Sequence, residues 1–187
     1  VEKVVIQGGK NVLNFIETSV ADQKLSIINN NKCNFLRSYD KIVTVQIFIK
    51  ELINIDFEGT HEVTCSNVLN VTDLTLVIRD GAGEFNLNLN GNSLHTVVTH
   101  GWGNFNLKGD VNYLSLDIRS NGFGDAYDLN VNDSLKVISN TTEVIKMNPN
   151  SCALRAQSFS SGDIWYVGAP ASIEYNAYST GKLIDKN

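Results

Sequence analysis

From residue 85 onward apolar and polar side chains alternate with a period of two. Phe85, Leu87 and Leu89 alternate with Asn86, Asn88 and Asn90, and later Leu114, Leu116 and Ile118 with Ser115, Asp117 and Arg119. That period belongs to a strand with one face in a core and one in water. A recurring turn interrupts the alternation. Asp80-Gly81-Ala82-Gly83-Glu84-Phe85, His100-Gly101-Trp102-Gly103-Asn104-Phe105 and Asn121-Gly122-Phe123-Gly124-Asp125-Ala126 share the form G-x-G, then an acid or amide, then an apolar residue. Weaker copies follow at Asn140-Thr141-Thr142-Glu143-Val144, Ser160-Ser161-Gly162-Asp163-Ile164 and Ser179-Thr180-Gly181-Lys182-Leu183. With Gly83, Gly103, Gly124, Thr142, Gly162 and Gly181 as markers the steps are 20, 21, 18, 20 and 19, and His61-Glu62-Val63 is a degenerate copy upstream.

Each unit of about 20 residues therefore holds two short strands, as in 84–89 and 94–99. Neither can bury its apolar face alone, but coils stacked at about 4.8 Å set every strand beside its copy in the next coil. The expected fold is all-β: a single-stranded parallel β-solenoid, or β-helix, with two facing sheets and the G-x-G turns along one edge. Six or seven coils would make a rod body about 30 Å long. Residues 1–58 lack the marker but carry strand-like runs at 4–7, 25–29 and 41–55. The Val, Ile, Thr and Phe content of 41–55 favours strand over helix. The expectation is one domain over 1–187, with 1–58 as irregular N-terminal coils and a cap and 59–187 as the regular repeats. Solenoids need such caps because their end coils expose strand edges; the charged tail of Lys182, Asp185 and Lys186 would blunt the other end.

Composition narrows the function. A net charge of −5 with no Lys/Arg run lacks the clustered cations that nucleic-acid binding needs, and no apolar run approaches the length of a membrane span. Asn is abundant, with 24 residues, and turns and side-chain ladders are where it is favoured. Cys33, Cys65 and Cys152 show no zinc-ligand spacing. Buried free thiols are the simpler reading; the alternative is that Cys33 and Cys65 are joined in an oxidising compartment. The chain starts at Val1 without an apolar leader, as expected of a processed or trimmed chain.

The repeated G-x-G-D turns, with Asn31-Lys32-Cys33-Asn34-Phe35-Leu36-Arg37-Ser38-Tyr39 ahead of them and Gly162-Asp163-Ile164-Trp165-Tyr166-Val167-Gly168-Ala169-Pro170 behind, resemble the putative auto-transporter adhesin head GIN domain family. The resemblance covers nearly the whole chain, most specifically 80–170. It implies a pectin-lyase-like β-superhelix, made by Gram-negative bacteria and either secreted, periplasmic or held at the cell surface. It also implies adhesion to a host or bacterial glycan or surface protein, and homo-oligomers, trimers by analogy. No catalytic residue, metal or cofactor comes with it. The sequence departs from the family pattern where Asn140-Thr141-Thr142 lacks both glycines and where Trp102 and Phe123 occupy turns.

Three sets of residues are candidates for chemistry. The middle positions of the turns are Ala82, Trp102, Phe123, Thr141, Ser161 and Thr180; in register they would set Trp102 and Phe123 on consecutive coils as an exposed pair of rings. Such a pair suits the apolar face of a sugar or a protein partner, or simply shields the sheet edge. The polar column Glu84, Asn104, Asp125, Glu143, Asp163 and Lys182 could hold calcium. Asn104 and Lys182 interrupt it, however, and solvated turn caps are the simpler reading. Trp165 and Tyr166 point to opposite faces of one strand, with Tyr166 in phase with the core residue Ile164 and Trp165 left as a further exposed aromatic. No paired carboxylates face one cleft: Asp117 and Arg119, with Asp125 and Asp128 a coil later, come nearest and read as a salt-bridged surface. His61, His95 and His100 form no base-like set. The expected protein is a non-catalytic binder; a carbohydrate-active β-helix enzyme and a structural, self-assembling module are the alternatives. Asn70-Val71-Thr72, Asn132-Asp133-Ser134 and Asn140-Thr141-Thr142 match the glycosylation triplet by chance in an Asn-rich chain.

Overall fold

Which strands pair follows from where the apolar columns run. The computed structural model describes residues 1–31 and 42–187, and the chain divides into two units, Val1–Glu51 and Leu52–Asn187. Cys33 and most of the Asn31–Tyr39 segment lie outside the described residues.

In the first unit β1 (Lys3–Gln7) follows the 4–7 run and pairs antiparallel with β4 (Thr44–Phe48). The short helix α1 (Lys10–Leu13) leads to a hairpin of β2 (Ile16–Ala21) and β3 (Lys24–Asn29). Its two-residue turn places Asp22 and Gln23 at φ 49° and 63°, the left-handed pair whose twist matches the flanking strands. Of the 41–55 run, 44–48 (β4) and 54–55 are strand, whereas 42–43 and 49–53 are not, and residue 41 lies outside the described residues.

Every strand pairing of the second unit is parallel. Its strands are β5 (Asn54–Gly59), β6 (Glu62–Thr64), β7 (Leu69–Gly81), β8 (Glu84–Val98), β9 (Asn104–Ser120) and β10 (Phe123–Thr141). They continue with β11 (Ile145–Asn148), β12 (Ala153–Ser158), β13 (Ile164–Tyr166), β14 (Ser172–Ala177) and β15 (Leu183–Asp185). One face stacks Val63, Phe85, Phe105, Gly124, Ile145, Ile164 and Leu183 in register, a rung for each of about seven coils. The facing sheet stacks Ile55, Leu76, Thr96, Leu116, Val137, Ala156 and Tyr175. Between them lies one hydrophobic core. This is the parallel β-solenoid that the period-two alternation and the 20-residue repeat foretell.

Two details differ from expectation. The strands of the middle coils are not pairs of short strands: β7 to β10 are 13 to 19 residues long and run through the second corner without a break. Pairing persists there because Asn70, Asn90 and Asp110 stay level, as do Val71, Gly91 and Val111. The second is the turn frame, which in the coil of Asn121 sits two residues before the Gly122-Phe123-Gly124 turn that the glycines mark.

Thr96 is the polar exception in the middle of its core column, and its Oγ1 is buried without a hydrogen-bond partner among the described residues. A buried hydroxyl loses its bonds to water and here gains none in return. Thr96→Val keeps the shape and is expected to stabilise the fold by about 1 kcal/mol, read as a melting temperature higher by about 2–4 °C.

Candidate functional site

The G-x-G edge is built by backbone bonds between successive turns. The amides of Ala82, Trp102 and Asn121 donate to the carbonyls of Gly59, Gly81 and Gly101, one coil back, at 3.1, 2.8 and 3.3 Å. These three are therefore the level middle positions. Trp102 is 57% exposed at its turn tip, and its level neighbours are Ala82 and Asn121.

Phe123 does not join it. It pairs in register with Asn104, two residues beyond Trp102's position, and is 37% exposed. The turn of that coil is Ser120-Asn121-Gly122, with Ser120 at φ 63° where its counterparts Gly81 and Gly101 have φ 102° and 80°. Gly124 consequently lies inside, paired with Phe105 and Ile145, and a Cβ on it would run into the Phe105 ring. In the next coil the core residue is Ile145, not Val144, so the frame there moves by one residue.

The polar column breaks for the same reason. Glu62, Glu84, Asn104 and Phe123 are level, whereas Asp125 stands between Asn106 and Lys146. Asp125 accepts the Tyr127 amide at 3.0 Å and pairs with Lys146 Nζ at 2.8 Å; Asp163 accepts the Lys182 amide at 2.9 Å. Both carboxylates thus cap backbone, as the simpler reading has it. The Lys146 ammonium is held above its ordinary pKa, chiefly by its hydrogen bond from Nζ to Asp125. No group of three or more potential metal ligands occurs among the described residues. Gly83, Gly103 and Gly162 are buried, with Phe57, Ile78 and the Glu143 carbonyl against them, so the glycine ladder serves packing and offers no contact surface.

Tyr166 is in the core at 9% exposure, as its phase predicts. Trp165, expected in the open, is half-buried between Lys146 and Ile184 in register, and the Lys186 ammonium lies 4.1 Å from its ring centroid. Asp117 accepts two bonds from the Arg119 guanidinium, at 3.0 and 2.7 Å, a salt-bridged outer face as expected. Cys65 is a free thiol that accepts the Asn88 amide at 3.0 Å, and Cys152 is free and buried. Burial pushes the Cys152 thiol above its ordinary pKa.

Two features escape a reading centred on glycines. The second corner carries its own repeat, Asn70-Val71-Thr72, Asn90-Gly91-Asn92, Asp110-Val111-Asn112, Asn130-Val131-Asn132 and Asn148-Pro149-Asn150, at steps of 20, 20, 20 and 18. Its side chains bond from coil to coil: Asn130 and Asn132 donate to Asp110 at 3.2 and 2.9 Å, and Asn112 donates to Asn92 at 3.2 Å. The corner holds eight of the chain's 24 Asn. The other feature is a pair of stacked rings, Phe159 and Tyr178, with centroids 4.6 Å apart and planes 7° from parallel. It is the exposed two-coil stack expected of Trp102 and Phe123, built three coils further on.

Comparison with known proteins places this geometry in context. The family described as putative auto-transporter adhesin, head GIN domain, matches residues 1–170. None of the curated proteins matches the chain. A crystal structure of a putative adhesin from Bacteroides fragilis NCTC 9343 superposes with a TM-score of 0.85 at 20% identity, covering 98% of this chain and 82% of that one. A putative lipid binding protein from Parabacteroides distasonis ATCC 8503 gives 0.70 at 17% identity, covering 100% and 86%. A putative adhesin from Parabacteroides merdae ATCC 43184 gives 0.66 at 18%, covering 97% and 82%. At these identities the structures share the fold. Among the described residues no helix is long and apolar enough to cross a membrane.

Proposed function

Because the chain belongs to the putative auto-transporter adhesin head GIN domain family, we propose that it is a non-catalytic secreted or cell-surface adhesin that contacts glycan or protein through the exposed edge of its turns. The observation that carries this reading is Trp102, a large ring more than half exposed at a turn tip whose level neighbours are small or polar. Exposed Trp is enriched among residues that dominate binding energy, and its flat apolar face suits a sugar ring or a protein pocket. Phe123, level with Asn104 and not with Trp102, stands apart from that ring and adds a second, less exposed aromatic to the edge. Trp165, half-buried with its Nε1 inside and the Lys186 ammonium against its ring, contributes less than Trp102. Asp117 and Asp125, the carboxylates nearest to a catalytic set, are each paired with a cation, which favours the non-catalytic reading.

The test is binding of purified protein to an array of host glycans, mucins, bacterial polysaccharides and surface proteins, with Trp102→Ala in parallel and reducing sugar assayed in the same wells. Affinity falling about tenfold or more in the variant is the expected result. Release of reducing or unsaturated sugar would replace the adhesin by an enzyme. Silence across the array from a folded protein that grows in mass with concentration would replace it by a self-assembling module.

A further inference from the structure

We propose that Phe159 and Tyr178 form a carbohydrate platform that takes the apolar face of an uncharged sugar ring, a deeper statement of the glycan branch of the function proposed above and resting on it. The two residues leave β12 and β14 at the same level. The Phe159 amide donates to Ser139 O at 2.7 Å and the Tyr178 amide to Ser158 O at 2.8 Å, one coil apart. The spacing of the coils therefore fixes the spacing of the rings, 4.6 Å with planes 7° from parallel. Phe159 remains 44% exposed and Tyr178 62%. Each ring uses one face on the other, so the stack does not consume Tyr178's second face. β14 is paired with β12 and with no other strand among the described residues.

The surroundings select the ligand class. Both rings open the same short sequence, Phe159-Ser160-Ser161-Gly162 and Tyr178-Ser179-Thr180-Gly181, with Asn140 level with Phe159 one coil back. The hydroxyls of Ser179 and Thr180, which follow Tyr178 in sequence, are the kind of group that bonds ring hydroxyls while an aromatic face meets the ring C–H bonds. Neither four-residue segment holds a charged side chain, which disfavours a phosphate or an acidic peptide. The platform is also braced. Tyr175 Oη donates to Gly181 O at 2.6 Å, tying the last turn across the end of the core, so little order has to be gained on binding. The same four-residue pattern is absent around Trp102, which offers one ring between Ala82 and Asn121.

The experiment titrates the full chain with neutral oligosaccharides (chito-, cello-, xylo- and galacto-oligomers) by calorimetry and by NMR of the tyrosine ring signals. One class is expected to bind with saturable shifts of the Tyr178 ring. Tyr178→Ala should weaken it at least about tenfold, Phe159→Ala by a smaller factor, because Phe159 backs the Tyr178 ring and does not itself meet the sugar, and Tyr178→Phe by no more than about twofold, because the ring face and not the phenol carries the contact. Equal melting temperatures of the variants separate lost contact from lost fold. Affinity unchanged in Tyr178→Ala, or binding without a Tyr178 shift, overturns the platform. Failure to bind any oligosaccharide overturns it as well, while Trp102-dependent capture of a protein on the array would leave the adhesin standing without it.

Discussion

Gly124→Ala is expected to destabilise the Leu52–Asn187 solenoid by about 2–3 kcal/mol, read from the denaturant midpoint, although it adds a single methyl group to a strand. Gly124 has no left-handed φ to lose, so backbone strain is not the cause. The cause is the Phe105 ring, fully buried one coil back, which fills the space that a side chain at 124 would need. Ile145 closes the column on the other side, so the ring cannot move outward without opening the core. In a Phe105→Leu background the same substitution should cost less than about 1 kcal/mol, because the smaller side chain vacates the contested volume. A coupling energy of at least about 1 kcal/mol in the double-mutant cycle is the expected result, and additive effects would show that Gly124 is kept for another reason.

That exchange between a glycine and a ring one coil away also explains what the sequence hides. Asn121-Gly122-Phe123-Gly124 offers two overlapping frames, and local pattern favours Gly122-Phe123-Gly124 as the turn because it repeats Gly101-Trp102-Gly103. The chain uses Ser120-Asn121-Gly122, with a serine in the left-handed region, because Phe105 needs the space that only Gly124 leaves. A contact 19 residues away decides the frame, and no window of the size of a turn contains it. The solenoid survives the slip, since period-two alternation and a repeat near 20 specify stacking whichever residue is called the marker. The site is less tolerant: moving the frame by two residues separates Trp102 from Phe123 and Asp125 from Glu84. What could have been seen is the similarity of Phe159-Ser160-Ser161-Gly162 to Tyr178-Ser179-Thr180-Gly181, 19 residues apart, and the Asn-x-Asn corner at even steps. Both are passed over when glycine alone marks the repeat. The covered state of Trp165 was beyond reach, because it depends on Lys186, one coil further along, laying its ammonium on the ring.

Phe85→Ala should produce the larger loss, about 3–5 kcal/mol, and should produce it unevenly along the stack. Phe85 is fully buried, level with Val63 and Phe105, and its ring meets Phe57 edge-on with centroids 5.6 Å apart. In a stack each coil touches only its neighbours, so stability is a sum of coil and interface contributions rather than a property of the whole. Removing Phe85 empties the interface between the coil of β5 and β6 and those that follow. Its members Ile55, Phe57 and Val63 are only partly buried to begin with, and they have less to lose before that coil opens. Amide exchange should therefore accelerate in β5, β6 and β7 by the factor that corresponds to the whole loss. β12 lies beyond two intact interfaces, β9 with β10 and β10 with β12, closed by Leu114, Leu116, Val137 and Ala156, and should keep most of its protection. Equal acceleration in every strand would mean that the coils open together. The coupling across each interface would then exceed the stability of any single coil, and a defect at one end would be felt at the rings of Phe159 and Tyr178. Confined acceleration would mean the reverse: the aromatic edge far from the defect keeps its geometry, and a variant such as Phe85→Ala can be damaged in its fold while the sugar platform still binds.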